Sequence, residues 1–203
     1  MEGEGLSLRP LGLTLLAGFA IANVAPARGE DFWARFLGAA PGKAKAFACF
    51  TRVYDAQHLA KHPLQNVKAM RLLAFVDPAA PGEIELRFQA SFRTRKGVLA
   101  TISYCTPPEA GDTAKVIHCS VPCDGGAIDI SLEANGSALL SVPNGARLWT
   151  PGSHDPTEDD PDADVRGAFG PDDKLFRLDR AGAPQCLSLA FDAKEKAAMK
   201  GLK

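Results

Sequence analysis

The chain has 203 residues, 23 Lys and Arg against 24 Asp and Glu, and a net charge of −1. That length suits one domain with one core, and so even a balance supplies no global field to draw the protein onto nucleic acid. No repeat recurs at solenoid or propeller spacing, which sets those architectures aside.

The chain opens with an apolar run, Leu11 to Ala22, followed by the small-residue tripeptide Ala25-Pro26-Ala27. The run is too short to span a bilayer comfortably, and the tripeptide has the residues a signal peptidase reads. Glu2 and Glu4 precede Arg9, so a start further in would give the run its expected leading positive charge. Residues 1–27 are therefore expected to be a signal peptide. Residues 28–203 are then a periplasmic or secreted domain with no membrane span after cleavage.

Beyond that point the chain reads as strands with helices at its flanks. Asp31 to Leu37 places Phe32, Trp33 and Phe36 at helical spacing, a lid for one end of a core. A strand is expected over 46–53, then a short helix from Asp55 to His62 stopped by Pro63, then a strand over 68–76. Glu83 to Arg93 alternates cleanly, with Ile84, Leu86, Phe88, Ala90 and Phe92 on one face. Arg87, Gln89, Ser91 and Arg93 share the other, wet face and continue into Arg95 and Lys96, so this surface is expected to meet water or an anionic partner.

The short Gly-containing loop Thr94 to Gly97 predicts a hairpin into Val98 to Cys105, where Val98, Ala100, Ile102 and Tyr104 share one side. Pro107 to Asp112 and Asp124-Gly125-Gly126 read as turns, and Asn135-Gly136 as a tight hairpin turn. Further strands are expected over 114–121, 127–134, 137–142, 174–180 and 186–191. A C-terminal helix over 192–200 has Asp192 as its N-cap and Glu195 in the capping-box position. No connection offers a βαβ crossover. The fold expected is mainly β: one antiparallel barrel or sandwich of about eight to ten strands with short flanking helices.

An antiparallel barrel so flanked resembles, in architecture, the lipocalin-like small-molecule carriers, although the early Gly-x-Trp of that group is missing. The stretches Thr51-Arg-Val-Tyr-Asp55, Cys123-Asp-Gly-Gly126 and Lys174-Leu-Phe-Arg-Leu-Asp179 are similar to those of uncharacterised exported bacterial proteins. That resemblance implies a family but no activity.

All five cysteines, Cys49, Cys105, Cys119, Cys123 and Cys186, lie past the apolar run, in a chain bound for an oxidising compartment where disulfides persist. Two bridges and one leftover thiol are expected, and sequence alone does not choose the pairing. Cys49 and Cys186 fall in the first and last expected strands, where a bridge would lock the seam of a closed sheet. One further pair would then form among Cys105, Cys119 and Cys123. Cys119 to Cys123 is a C-x-x-x-C, one residue longer than the C-x-x-C of thiol oxidoreductases.

Asp55, His58 and His62 would share one helical face and could hold Zn or Cu, but Leu59 stands where a metalloprotease helix has Glu. Asp160, Asp162 and Asp164 imitate the start of an EF-hand loop, yet Val165 and Pro171 replace its Gly and Glu, so Ca is not expected. No cofactor is predicted. Neither a Gly-x-Ser-x-Gly elbow nor a phosphate-cradling glycine loop occurs. The function these features favour is a non-enzymatic binding protein of the envelope. In one version a small apolar or amphipathic ligand sits against Trp33, Phe36, Phe88, Phe92 and Tyr104. In the other, a packed core displays loops to a partner protein.

Overall fold

A computed structural model describes residues 35–38, 43–80, 82–106, 116–151 and 168–201. Eight antiparallel strands form a closed meander barrel in which each strand pairs with the next and the last returns to the first. They are β1 (Ala46–Val53), β2 (Val67–Val76), β3 (Ile84–Phe92), β4 (Val98–Cys105), β5 (Val116–Ser120), β6 (Ala127–Leu132), β7 (Ala138–Ser141) and β8 (Leu175–Ala181). Helix α1 (Ala56–Lys61) joins β1 to β2, and a 3-10 helix (Ala183–Leu189) and helix α2 (Ala193–Lys200) follow β8. No helix among the described residues is long and apolar enough to cross a membrane.

Alternation fills the barrel. Phe50, Leu72, Phe88, Phe92, Ile128, Ile130, Leu140 and Leu178 are completely buried and belong to one cluster. Side chains without accessible surface border no space that a water-sized sphere can enter, so these residues pack on one another. Phe36 stacks on Phe50 with ring centroids 5.6 Å apart, and Arg180 holds this stretch by donating to the Phe36 carbonyl at 3.0 Å. Of the expected lid helix, Arg35 to Leu37 is helical and the remainder lies outside the described residues.

The other end of the barrel closes on Asn66 and Asp173. The Asp173 carboxylate is fully buried and accepts from the backbone N–H groups of Asn66 (2.7 Å), Gly170 (2.7 Å) and Val67 (3.1 Å). Burial pushes its pKa up, against the pull of those three donors. Asn66 donates to Thr94 Oγ1 at 2.8 Å and accepts from the Thr94 N–H at 3.2 Å. Phe169, edge-on to Phe92, sits behind this knot. Gly170 passes so close to the Leu64 carbonyl oxygen that a Cβ would overlap it. Gly170→Ala is therefore expected to cost about 1–3 kcal/mol, read as an earlier midpoint in urea unfolding; an unchanged midpoint would show that the two segments separate freely.

Two expectations about faces are settled by the register. Tyr104, expected to line a ligand site, faces outward: in β4 it is Leu99, Thr101, Ser103 and Cys105 that point inward, because they stand opposite Ala90, Phe88, Leu86 and Ile84 of β3. The apolar set Val98, Ala100, Ile102 and Tyr104 faces outward. Ser103 is accommodated in the core by donating its hydroxyl to the Leu86 carbonyl at 3.4 Å.

The wet face expected for β3 is corrected. Arg87 and Gln89 are buried, because the C-terminal segment crosses the outside of β1, β2 and β3. Of residues 186–191, expected as a strand, Cys186 to Leu189 lie in the 3-10 helix, and Ala190 and Phe191 follow its end. With β8 already paired to β1 the barrel has no free edge there, and Pro184 near the helix start suits a helical turn. This segment covers Phe47, Leu73 and Phe75 with Leu189, Ala190 and Met199.

Candidate functional site

Two disulfides join distant parts of this framework. Cys49 pairs with Cys186 across a separation of 137 residues, and Cys105 with Cys119 across 14. Cys186 lies in the 3-10 helix, so the first bridge pins the C-terminal cover to the outer wall rather than locking a seam between strands. The second lies in the core at one of the two residue pairs that join β4 to β5. Cys123 is the free thiol, exposed in the β5–β6 turn with a φ of 56°.

The short β4–β5 ladder leaves most of β4 without β5 beside it, and the chain after β7 takes that place. Ala100 N–H donates to the Trp149 carbonyl at 2.8 Å, and Trp149 N–H returns the bond at 2.9 Å. Leu148 turns into the core while Trp149, opposite Ala100, faces outward with it. Val98, Ala100, Ile102, Tyr104 and Trp149 thus form an apolar strip on the outer wall, none of them fully buried. Burial raises the Tyr104 phenol pKa, and the charges of Glu85 and Glu83 add to the effect.

Beside the strip stands Arg87, the cross-strand neighbour of Ile102. Its guanidinium donates to Glu195 Oε2 at 2.7 Å, to Glu195 Oε1 at 3.2 Å and to the Leu189 carbonyl at 3.0 Å, and it also pairs with Glu85. Phe75 lies 4.6 Å below it and Phe191 3.5 Å above. Phe191 is 67% exposed and extends the apolar surface. Glu195 also takes the Phe191 N–H at 3.0 Å, so it does not close the capping box on Asp192, whose carboxylate caps α2 through the Glu195 N–H at 2.7 Å. Nothing near either residue in the sequence signals this pair, which spans 108 positions.

The expected metal ligands stand on the rim beside α1. Asp55 is the N-cap, accepting from the His58 N–H at 2.7 Å, and His58 Nε2 lies 2.9 Å from Gln65 Oε1. The His58 and His62 rings stack at 4.4 Å and Tyr54 stacks on His58 at 4.6 Å. Stacked rings carry their in-plane lone pairs side by side, so a shared ion requires one ring to turn. Among the described residues, no three His, Cys, Asp or Glu side chains are gathered to hold a metal. The acidic stretch of Asp160, Asp162 and Asp164 lies outside the described residues.

The structure separates the proposed ligand-lining residues. Phe36, Phe88 and Phe92 are core, Tyr104 is on the outer wall, and Trp33 lies outside the described residues. The outer strip was missed because alternation marks two faces of a strand without saying which one is buried. No protein-family model, curated protein or solved structure matches the chain.

Proposed function

We propose that this protein is an envelope interaction module that binds a partner protein through its outer wall, without catalysis. The observation that carries the reading is the filled interior. An eight-stranded barrel has room either for its own side chains or for one small ligand, and here Phe50, Phe88, Phe92 and Phe176 occupy the centre. The small-molecule carrier is thus the weaker alternative. Binding falls to the exterior, where Ile102, Tyr104, Trp149 and Phe191 join aromatic and aliphatic surface beside a rigid sheet. Tyr and Trp are the residues protein interfaces favour. Two disulfides suit a protein exported to the periplasm or beyond.

Photo-crosslinking in intact cells tests this reading. A crosslinking residue at position 102 or 104 is expected to give one discrete protein adduct, and the same residue at Arg71, on the outer face of β2, none. No adduct at 102 and 104 overturns the reading. Native mass spectrometry addresses the alternative, since a small molecule retained through purification would restore the carrier.

A further inference from the structure

The apolar strip on the outer wall has an acidic end. Tyr104, its last residue, is 38% exposed and stands opposite Glu85 of β3, with Glu83 just before that strand. Burial raises the Tyr104 phenol, and both carboxylates lie near enough to add to the shift. The cations of this region are already engaged. Arg87 serves Glu195 and Glu85, and Lys45 lies 3.0 Å from Asp77 and 3.7 Å from Glu195. Lys194 is felt by Asp77 and Asp192. Three cations thus face five carboxylates, and among the described residues the exposed Glu83 has no ion-pair partner. On the β5 side, His118 is paired with Asp129 at 2.7 Å. The β4–β5 connection, which leaves from this end, carries Glu109 and Asp112 against Lys115. The far end of the strip is about 20 Å away along β4. There Arg95 and Lys96 are outnumbered in sequence by the acids from Asp155 to Asp164 that follow Trp149.

We infer that the partner of this wall is a protein segment with a cationic side chain beside apolar ones: an Arg or Lys over Tyr104, against Glu83 and Glu85, with apolar neighbours covering Ile102, Trp149 and Phe191. The inference rests on the outer-wall reading and names the chemistry of that partner. The Tyr104 ring offers a cation its negative face. Glu85 is 17% exposed and fixed by Arg87, so a charge brought beside it is only partly screened by water. The same carboxylates repel an acidic segment or an anionic lipid surface, which makes them a device for choosing between partners.

Two acetylated peptides test the inference against the isotope-labelled full chain. One alternates leucine with serine and ends in two arginines; its twin ends in two glutamates. The amide resonances of Ile102, Tyr104 and Trp149 report binding at the strip. The arginine peptide is expected to shift all three and to bind about tenfold more tightly than its twin at low salt. Salt should narrow that ratio, since the charges are on the surface. Glu83→Lys should weaken the arginine peptide about fivefold, and Lys96→Glu, at the far end, should leave it nearly unchanged. Both positions are exposed, and unaltered melting curves confirm that the variants fold. Equal affinity for the two peptides, no shift at the three residues, or an arginine peptide indifferent to Glu83→Lys overturns the inference. Self-association of the natural chain that Glu83→Lys abolishes also overturns it, because a second copy is then the occupant. Crosslinks at 102 and 104 separate this inference from the reading beneath it. Their absence removes both, whereas adducts unchanged by Glu83→Lys remove the cationic partner alone.

Discussion

Replacing Cys49 and Cys186 together by Ser is expected to lower the melting temperature by roughly 10–20 °C. The bridge closes a loop of 137 residues, and the chain-entropy model assigns such a loop about 4–5 kcal/mol. At this chain length each kcal/mol moves the midpoint by about 2–4 °C. Without the bridge, the 3-10 helix and α2 rest on the small outer cluster and on the Arg87–Glu195 pair. The Cys105–Cys119 bridge closes a loop of only 14 residues, and its removal should cost about 3 kcal/mol. Thermal melts followed by circular dichroism measure both. A shift below about 3 °C for the Cys49–Cys186 variant would mean that the cover holds without its covalent anchor.

Arg87→Ala is expected to cost about 3 kcal/mol, since it leaves the buried Glu195 with only Lys45, 3.7 Å away, and the half-buried Glu85 without its guanidinium partner. Arg87 is 4% exposed and Glu195 8%, so water does little to screen them. Exchanging both for apolar residues, Arg87→Met with Glu195→Leu, should recover most of the loss, because breaking a buried pair costs more than replacing it. Urea unfolding of the three proteins separates these outcomes. Equal losses in the single and double variants would show that the pair matters for packing rather than charge.

The same pair gives a pH dependence of defined sign. Burial pushes the Glu195 carboxyl up, but hydrogen bonds from Arg87 and the Phe191 N–H, with the charges of Arg87 and Lys45, outweigh it and hold the pKa below the ordinary 4.5. Its stabilisation is therefore complete above the unfolded-state value and is lost as pH falls through the folded one. Glu85 is shifted the opposite way by burial, so its protonation does not produce that acid loss. Unfolding midpoints between pH 5 and pH 3 should fall less steeply in Glu195→Gln than in the natural chain. Equal slopes would place the acid sensitivity elsewhere.

The local code of this barrel is written in its residues, and the long-range code is not. Alternation and weaker apolar runs located the eight strands and one more, over 186–191, that the barrel does not contain; Asn135-Gly136 and Thr94 to Gly97 marked two of the turns, and Asp55 and Asp192 announced the helix starts they cap. Each of those signals lies within a few neighbouring residues. Alternation divides a strand into two faces but leaves their assignment to the partner strand. In β4 the register against β3 turned Thr101 and Ser103 inward and left Ile102 and Tyr104 outside. The burial of Arg87 came likewise from residues far along the chain, once β8 had closed on β1 and the C-terminal segment could only cover the outer wall. The sequence by itself determined the strands, the turns and the supply of cysteines, because short-range sterics and hydrophobic period govern those. Only the tertiary structure decided which faces are buried, which cysteines pair and where an apolar strip is left open, because those depend on which distant residues the closed barrel brings into contact.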